Sequence, residues 1–117
     1  MAFRFESLEI WKISVDYAIE IYKMTDLFPK DELFGLVSQL RRAAISISSC
    51  IAEGSGATTI KDYHNFLNIA VKSALEVASL LFVTERLGHI SQNKRVEMYE
   101  KTEILIRRIR AFKKSLK

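Results

Sequence analysis

The stretch Leu33-Phe34-Gly35-Leu36-Val37-Ser38-Gln39-Leu40-Arg41-Arg42-Ala43-Ala44-Ile45-Ser46-Ile47-Ser48-Ser49-Cys50-Ile51 decides the fold. Within it Leu33, Val37, Leu40, Ala44, Ile47 and Ile51 alternate steps of four and three. That is the heptad seam of a helix packed at a shallow angle against its neighbours. The spacing recurs downstream in Tyr63, Leu67, Ala70, Ala74, Val77 and Leu81, and again in Met98, Thr102, Leu105, Ile109, Phe112 and Leu116. Residues 7–25 are also helically periodic. Three clusters of breakers separate these segments: Thr25 to Pro29, Gly54 to Thr58, and Gly88 to Ser91.

Start and stop signals agree with the breaks. Ser7 can cap the first helix, Thr59 with Asp62 resembles a capping box, and Ser91 can cap the fourth helix. Pro29 followed by Asp31 and Glu32 suits the start of the second, and Gly54 and Gly88 suit C-terminal caps. Helices are therefore expected over about 7–25, 30–53, 59–87 and 92–115. Short connections force neighbouring helices to run antiparallel. The expected fold is all-α, a single up-down-up-down four-helix bundle spanning residues 1–117.

Composition fits this outline. The 117 residues are 49% apolar and 27% charged, which excludes intrinsic disorder. One Pro and four Gly disfavour a turn-rich β fold, and a single Cys excludes an internal disulfide or a four-Cys zinc site. No uninterrupted apolar run approaches 18 residues, and the opening residues lack a signal-peptide core, so a soluble, cytoplasmic protein with no membrane partner is expected.

The first helix has two apolar stripes. Leu8, Trp11, Val15, Ala18, Ile19 and Tyr22 form one; Ile10, Ile13, Tyr17, Ile21 and Met24 form the other. The third helix carries Phe66, Ile69, Leu80, Val83 and Leu87 beyond its seam. Such doubly apolar helices need two packing partners, which predicts a homo-oligomer with part of the second face between subunits.

Templates for enzymatic chemistry fail. Neither His64 nor His89 follows a Glu by three residues, and no His-Glu-x-x-His occurs, so di-iron and zinc-protease scaffolds are absent. Gly54-Ser55-Gly56 follows a helix rather than a strand and is read as a loop, not a phosphate cradle. Cys50 beside seam residue Ile51 reads as a buried structural thiol. No catalytic residue, metal or cofactor is expected.

Two features remain. Gly35, Gln39, Arg42, Ser46, Ser49 and Glu53 form a polar stripe on the second helix, with Glu76 of the third helix a natural counter-ion. These residues suit either a register-fixing or subunit-contact network or a ligand site. The second feature is charge. The chain carries +4 overall, but Arg107, Arg108, Arg110, Lys113, Lys114 and Lys117 place +6 in the last eleven residues and leave −2 on the rest. Such a basic end attracts phosphate backbones. Aromatic support looks thin, because Phe112 lies on the seam, so salt-sensitive binding with poor sequence readout is expected.

Leu8-x-x-Trp11 and Phe28-Pro29-x-x-Glu32-x-x-Gly35-Leu36-x-x-Gln39-x-Arg41-Arg42-Ala43-Ala44-x-Ser46-Ile47 resemble the 23S rRNA intervening-sequence proteins, also called the four helix bundle protein family. The likeness continues in Ile51-Ala52-Glu53-Gly54, Phe66-Leu67-x-Ile69-Ala70 and Ser73-x-x-Glu76. Members often have Pro and Asn where this chain has Ser48 and Cys50. The resemblance implies four-helix bundles assembled as homopentamers, without catalytic activity. It also implies two settings: intervening sequences of large-subunit rRNA genes, and accessory subunits that bind a reverse transcriptase and nucleic acid. Gln39, Arg41, Arg42, Glu53 and Glu76 fall on matched helix edges. Two functions follow: a homo-oligomer binding RNA or DNA through the basic end of the fourth helix, or an adaptor presenting helical surfaces to a protein such as a reverse transcriptase.

Overall fold

The computed structural model describes residues 2–117. Four helices run α1 (Glu9–Thr25), α2 (Ser38–Ser55), α3 (Ile60–Arg86) and α4 (Gln92–Ser115), with no strand among the described residues. They form an antiparallel bundle 44 Å long and just over 20 Å across, as the short connections require. The seams of α3 and α4 point inward as expected. Every seam residue of α3 is buried, as are Met98, Thr102, Leu105 and Ile109 of α4, while Phe112 and Leu116 are half-buried at its end.

Of the two stripes on α1, the one through Ile10, Tyr17, Ile21 and Met24 enters the core. Along the other, Trp11 is half-covered by an edge-on contact with Phe5 at 4.8 Å, while Ile19 and Tyr22 stay exposed. Buried hydroxyls are satisfied locally: those of Ser14, Thr25, Thr84 and Thr102 each donate to a carbonyl three or four residues back. The Tyr17 phenol meets Thr102 across the core, and burial pushes its pKa far up.

Three caps form as read. Thr59 Oγ1 accepts from the Asp62 N–H at 3.1 Å, and Ser91 Oγ accepts from the Lys94 N–H at 3.0 Å. Gly88 takes φ +82° while its N–H and that of His89 donate to Glu85 and Thr84 carbonyls, a Schellman closure of α3.

Other expectations are corrected. Ser7 does not cap α1; its hydroxyl is spent on the Arg4 carbonyl within a 3₁₀ turn, Arg4–Ser7, and the helix begins at Glu9. The second helix does not run regularly from residue 30. A 3₁₀ turn (Lys30–Glu32) and a π turn (Leu33–Val37) broken at Gly35 precede α2. The same segment is tied to a distant turn: Glu32 pairs with His89 at 2.8 Å, and Phe28 packs on the same imidazole at 5.5 Å. The π turn shifts the register, so Leu36 is buried in the place expected for Leu33, which is 48% exposed.

Gly54 is not the end of α2, which continues to Ser55 with Gly56 as its cap. Gly54 is buried where α2 meets α3; a Cβ there would lie 3.0 Å from Phe66 Cβ and 3.1 Å from the Tyr63 ring. Gly54→Val is therefore expected to cost about 1–3 kcal/mol in chemical denaturation through overpacking. Gly56→Ala, with its Cβ 3.6 Å from the Glu53 carbonyl, should stay within about 1 kcal/mol of the parent. Equal stability of all three proteins would show that the close approach at Gly54 carries no constraint.

Finally, α3 contains an 18-residue stretch of mean hydropathy 1.7, apolar and long enough to cross a membrane. No uninterrupted apolar run of that length occurs, but polar residues as sparse as Lys72 and Glu76 leave the average high. Only 33% of that stretch is buried inside the bundle.

Candidate nucleic-acid-binding groove

The basic end of α4 runs antiparallel to α3, which sets Arg110, Lys113 and Lys114 opposite His64, Asn68 and Lys72. Together they line a groove of about 680 Å³ floored by Val71 and Leu75. His64 Nε2 donates to the Lys113 carbonyl at 3.1 Å, so α3 caps a carbonyl in the last turn of α4 and fixes the groove's end. Leu75 and Arg110 are shared with a second hollow of about 290 Å³ that continues along the same two helices to Tyr99. The two hollows thus follow one another along the α3–α4 seam, and together they are called the channel below.

Its charge is mainly basic, with Glu103 the one acid in its lining. Lys72, Arg110, Lys113 and Lys114 have no acidic group within 4 Å, and only Arg107 faces an acid, Glu103, at 3.7 Å. Unneutralised cations on both walls attract phosphates more strongly than the same charges dispersed over a surface. Two of the six tail cations lie elsewhere. Arg108 stands on the opposite flank of α4 by helical rotation, and Lys117 lies past the helix end.

Sequence reading missed Lys72 and His64, which sit far from the basic tail in the chain. It also missed an aromatic pair at the far end of the channel. Phe82 and Tyr99 meet edge-to-face at 5.8 Å, and Arg95 covers the Phe82 ring at 4.6 Å while pairing with Glu85 at 2.7 Å. Antiparallel register is the signal that joins them, since residues near 82 on α3 must oppose residues near 99 on α4.

The polar residues expected to act together occupy three places. Arg41 turns toward α1: its guanidinium donates to Thr25 Oγ1 at 2.9 Å, pairs with Asp26 at 2.8 Å and lies 4.4 Å from the Tyr22 ring centre. Gln39, Arg42 and Glu76 line a small cleft of about 420 Å³ between α2 and α3, where Ser73 Oγ donates to Ser46 Oγ at 2.9 Å. Arg42 and Glu76 are exposed there without forming an ion pair. Glu53 stands about 16 Å further along α2, too far to join them. Cys50 is buried, which pushes its thiol up and disfavours a nucleophilic thiolate. No group of three or more His, Cys, Asp and Glu side chains among the described residues is placed to hold a metal ion.

Comparison with known proteins adds the lineage. A family model described as 23S rRNA-intervening sequence protein matches residues 6–111. The chain belongs to that family. Its bundle is also similar to the crystal structure of a protein of unknown function from the S23 ribosomal protein family of Bacteroides thetaiotaomicron. That chain is 24% identical, with a TM-score of 0.80 over 91% of this chain and 99% of the other, and supports the fold. No match to a curated protein was found.

Proposed function

We propose that this protein is a non-enzymatic homo-oligomer that holds RNA or DNA by the phosphate backbone along the α3–α4 channel. The observation that carries the reading is the set of four unneutralised cations, Lys72, Arg110, Lys113 and Lys114, facing one another across two helices. Assembly is supported by apolar surface that the bundle leaves uncovered, notably Ile69, Val83 and Leu87 on α3. By helical rotation Ile69 and Val83 share the face of α3 that carries Glu76, which gives a mixed apolar and charged surface suited to a second copy. A pentamer is the number that the family resemblance implies.

An adaptor role, such as binding a reverse transcriptase, draws on a different feature. Leu27 and Phe34 are 86% and 93% exposed at the α1–α2 end of the bundle. This tip would present apolar side chains to a protein partner while the channel stays free.

Anisotropy titrations of a labelled RNA and a labelled DNA at rising salt test the main reading. Four phosphate contacts per protomer predict a fall in affinity of about 50–150-fold between about 50 and 200 mM salt. Failure to retain either nucleic acid at low salt overturns it. Light scattering at micromolar protein tests assembly, and a monomer there refutes the oligomer.

A further inference from the structure

We infer that the channel is built for a single strand rather than a duplex, with Tyr99 as the platform on which a base stacks. The inference rests on the reading that this groove binds nucleic acid, and narrows it to one form of the ligand. A duplex shows a protein two phosphate rails and hides its base faces, so an aromatic ring beside the rails gains nothing from it. A single strand offers phosphates and base faces together. Binders of single strands accordingly combine a basic track with stacking rings.

This channel has both parts in series. Phosphate-binding cations fill the end lined by Lys72, Arg110, Lys113 and Lys114. Tyr99 lines the other end and is 39% exposed, so its ring is accessible from the hollow. Its neighbour Phe82 meets it edge-to-face and is covered by Arg95, which is itself held by Glu85. Between the two ends the lining mixes apolar Leu75, Ala78 and Ile106 with the Glu103–Arg107 pair, and the Glu103 carboxylate disfavours a phosphate there. From Tyr99 to Lys114 the helix advances about 22 Å. That length suits about four nucleotides, the lower end of single-strand site sizes. Arg107 is the exception along the track, since Glu103 already holds it at 3.7 Å.

The test uses the full chain with fluorescein-labelled oligothymidylate and a mixed-sequence duplex of the same length, both at low salt. The single strand is expected to bind at least about tenfold more tightly. Tyr99→Ala should weaken single-strand binding by about 5–150-fold, the range of one lost stacking contact. The slope against salt should not change, because no cation is removed. Duplex binding should move less than about twofold, and Tyr99→Phe should restore the single-strand affinity. Tighter binding of the duplex, or indifference to Tyr99→Ala, overturns the inference and leaves nucleic-acid binding standing. Loss of both ligands by the unmodified chain overturns the underlying reading instead. If Tyr99→Ala breaks the assembly in light scattering, the ring is a subunit contact and the inference falls.

Discussion

Replacing Leu67 by alanine is expected to remove about 2–5 kcal/mol of stability and to lower the melting temperature by about 10–20 °C at fixed protein concentration. Leu67 lies on the inward face of α3 with no exposed surface, inside the continuous core that joins all four helices. Truncation loses the transfer free energy of the side chain and leaves a void that rigid neighbouring helices cannot close. The comparison that gives the measurement force is Leu33→Ala. Both leucines occupy heptad positions in the sequence, yet Leu33 is nearly half exposed and its loss should cost no more than about 0.5 kcal/mol. Equal losses at the two sites would mean that α2 runs regularly through residue 33 and that the π turn is wrong.

That contrast shows where the fold was legible and where it was not. The seams of α3 and α4 were readable because each helix packs along most of its length against the same neighbours, so periodicity in sequence becomes burial in space. The start of the second helix was not. Its π turn breaks at Gly35, and Glu32 just before it is tied to His89, a contact spanning 57 residues that no local pattern encodes. Gly54 misled for a related reason. A glycine near a helix end ordinarily signals a cap, but this one permits the close approach of Tyr63 and Phe66. On α1 both apolar stripes were visible, and only the position of the neighbouring helices decided which of them became core.

The candidate site divides in the same way. Its charge was legible, because six cations without an acid stand out in a short chain. Its shape was not, since a groove has two walls and the second is contributed by Lys72 and His64 of α3. Periodicity placed the polar residues of α2 on one edge, yet Arg41 lies about 100° from Arg42 around the helix. That rotation is enough to give one of them to α1 and the other to the cleft with Glu76.

The sharpest test of the channel is to reverse its charge without changing the count of charges elsewhere. With Arg110, Lys113 and Lys114 all replaced by Glu, affinity for nucleic acid at low salt is expected to fall by at least about 100-fold. None of the three side chains forms an ion pair among the described residues, so no existing partner is orphaned. The fold should survive with a modest penalty, because acids near a helix C-terminus cost about 0.3–1 kcal/mol each. The corresponding Gln variant separates that penalty from the loss of cations. It should retain the parent's melting behaviour and flatten the salt slope by about one unit for each contact removed. Arg108→Glu with Lys117→Glu supplies the decisive control. These residues belong to the same basic tail and contribute equally to net charge, but neither lines the channel. If binding depends on this groove, the control should lose far less affinity per charge than the triple variant. If the losses per charge are equal, the tail acts as a diffuse cloud of positive charge, and the convergence of α3 and α4 on one ligand is refuted.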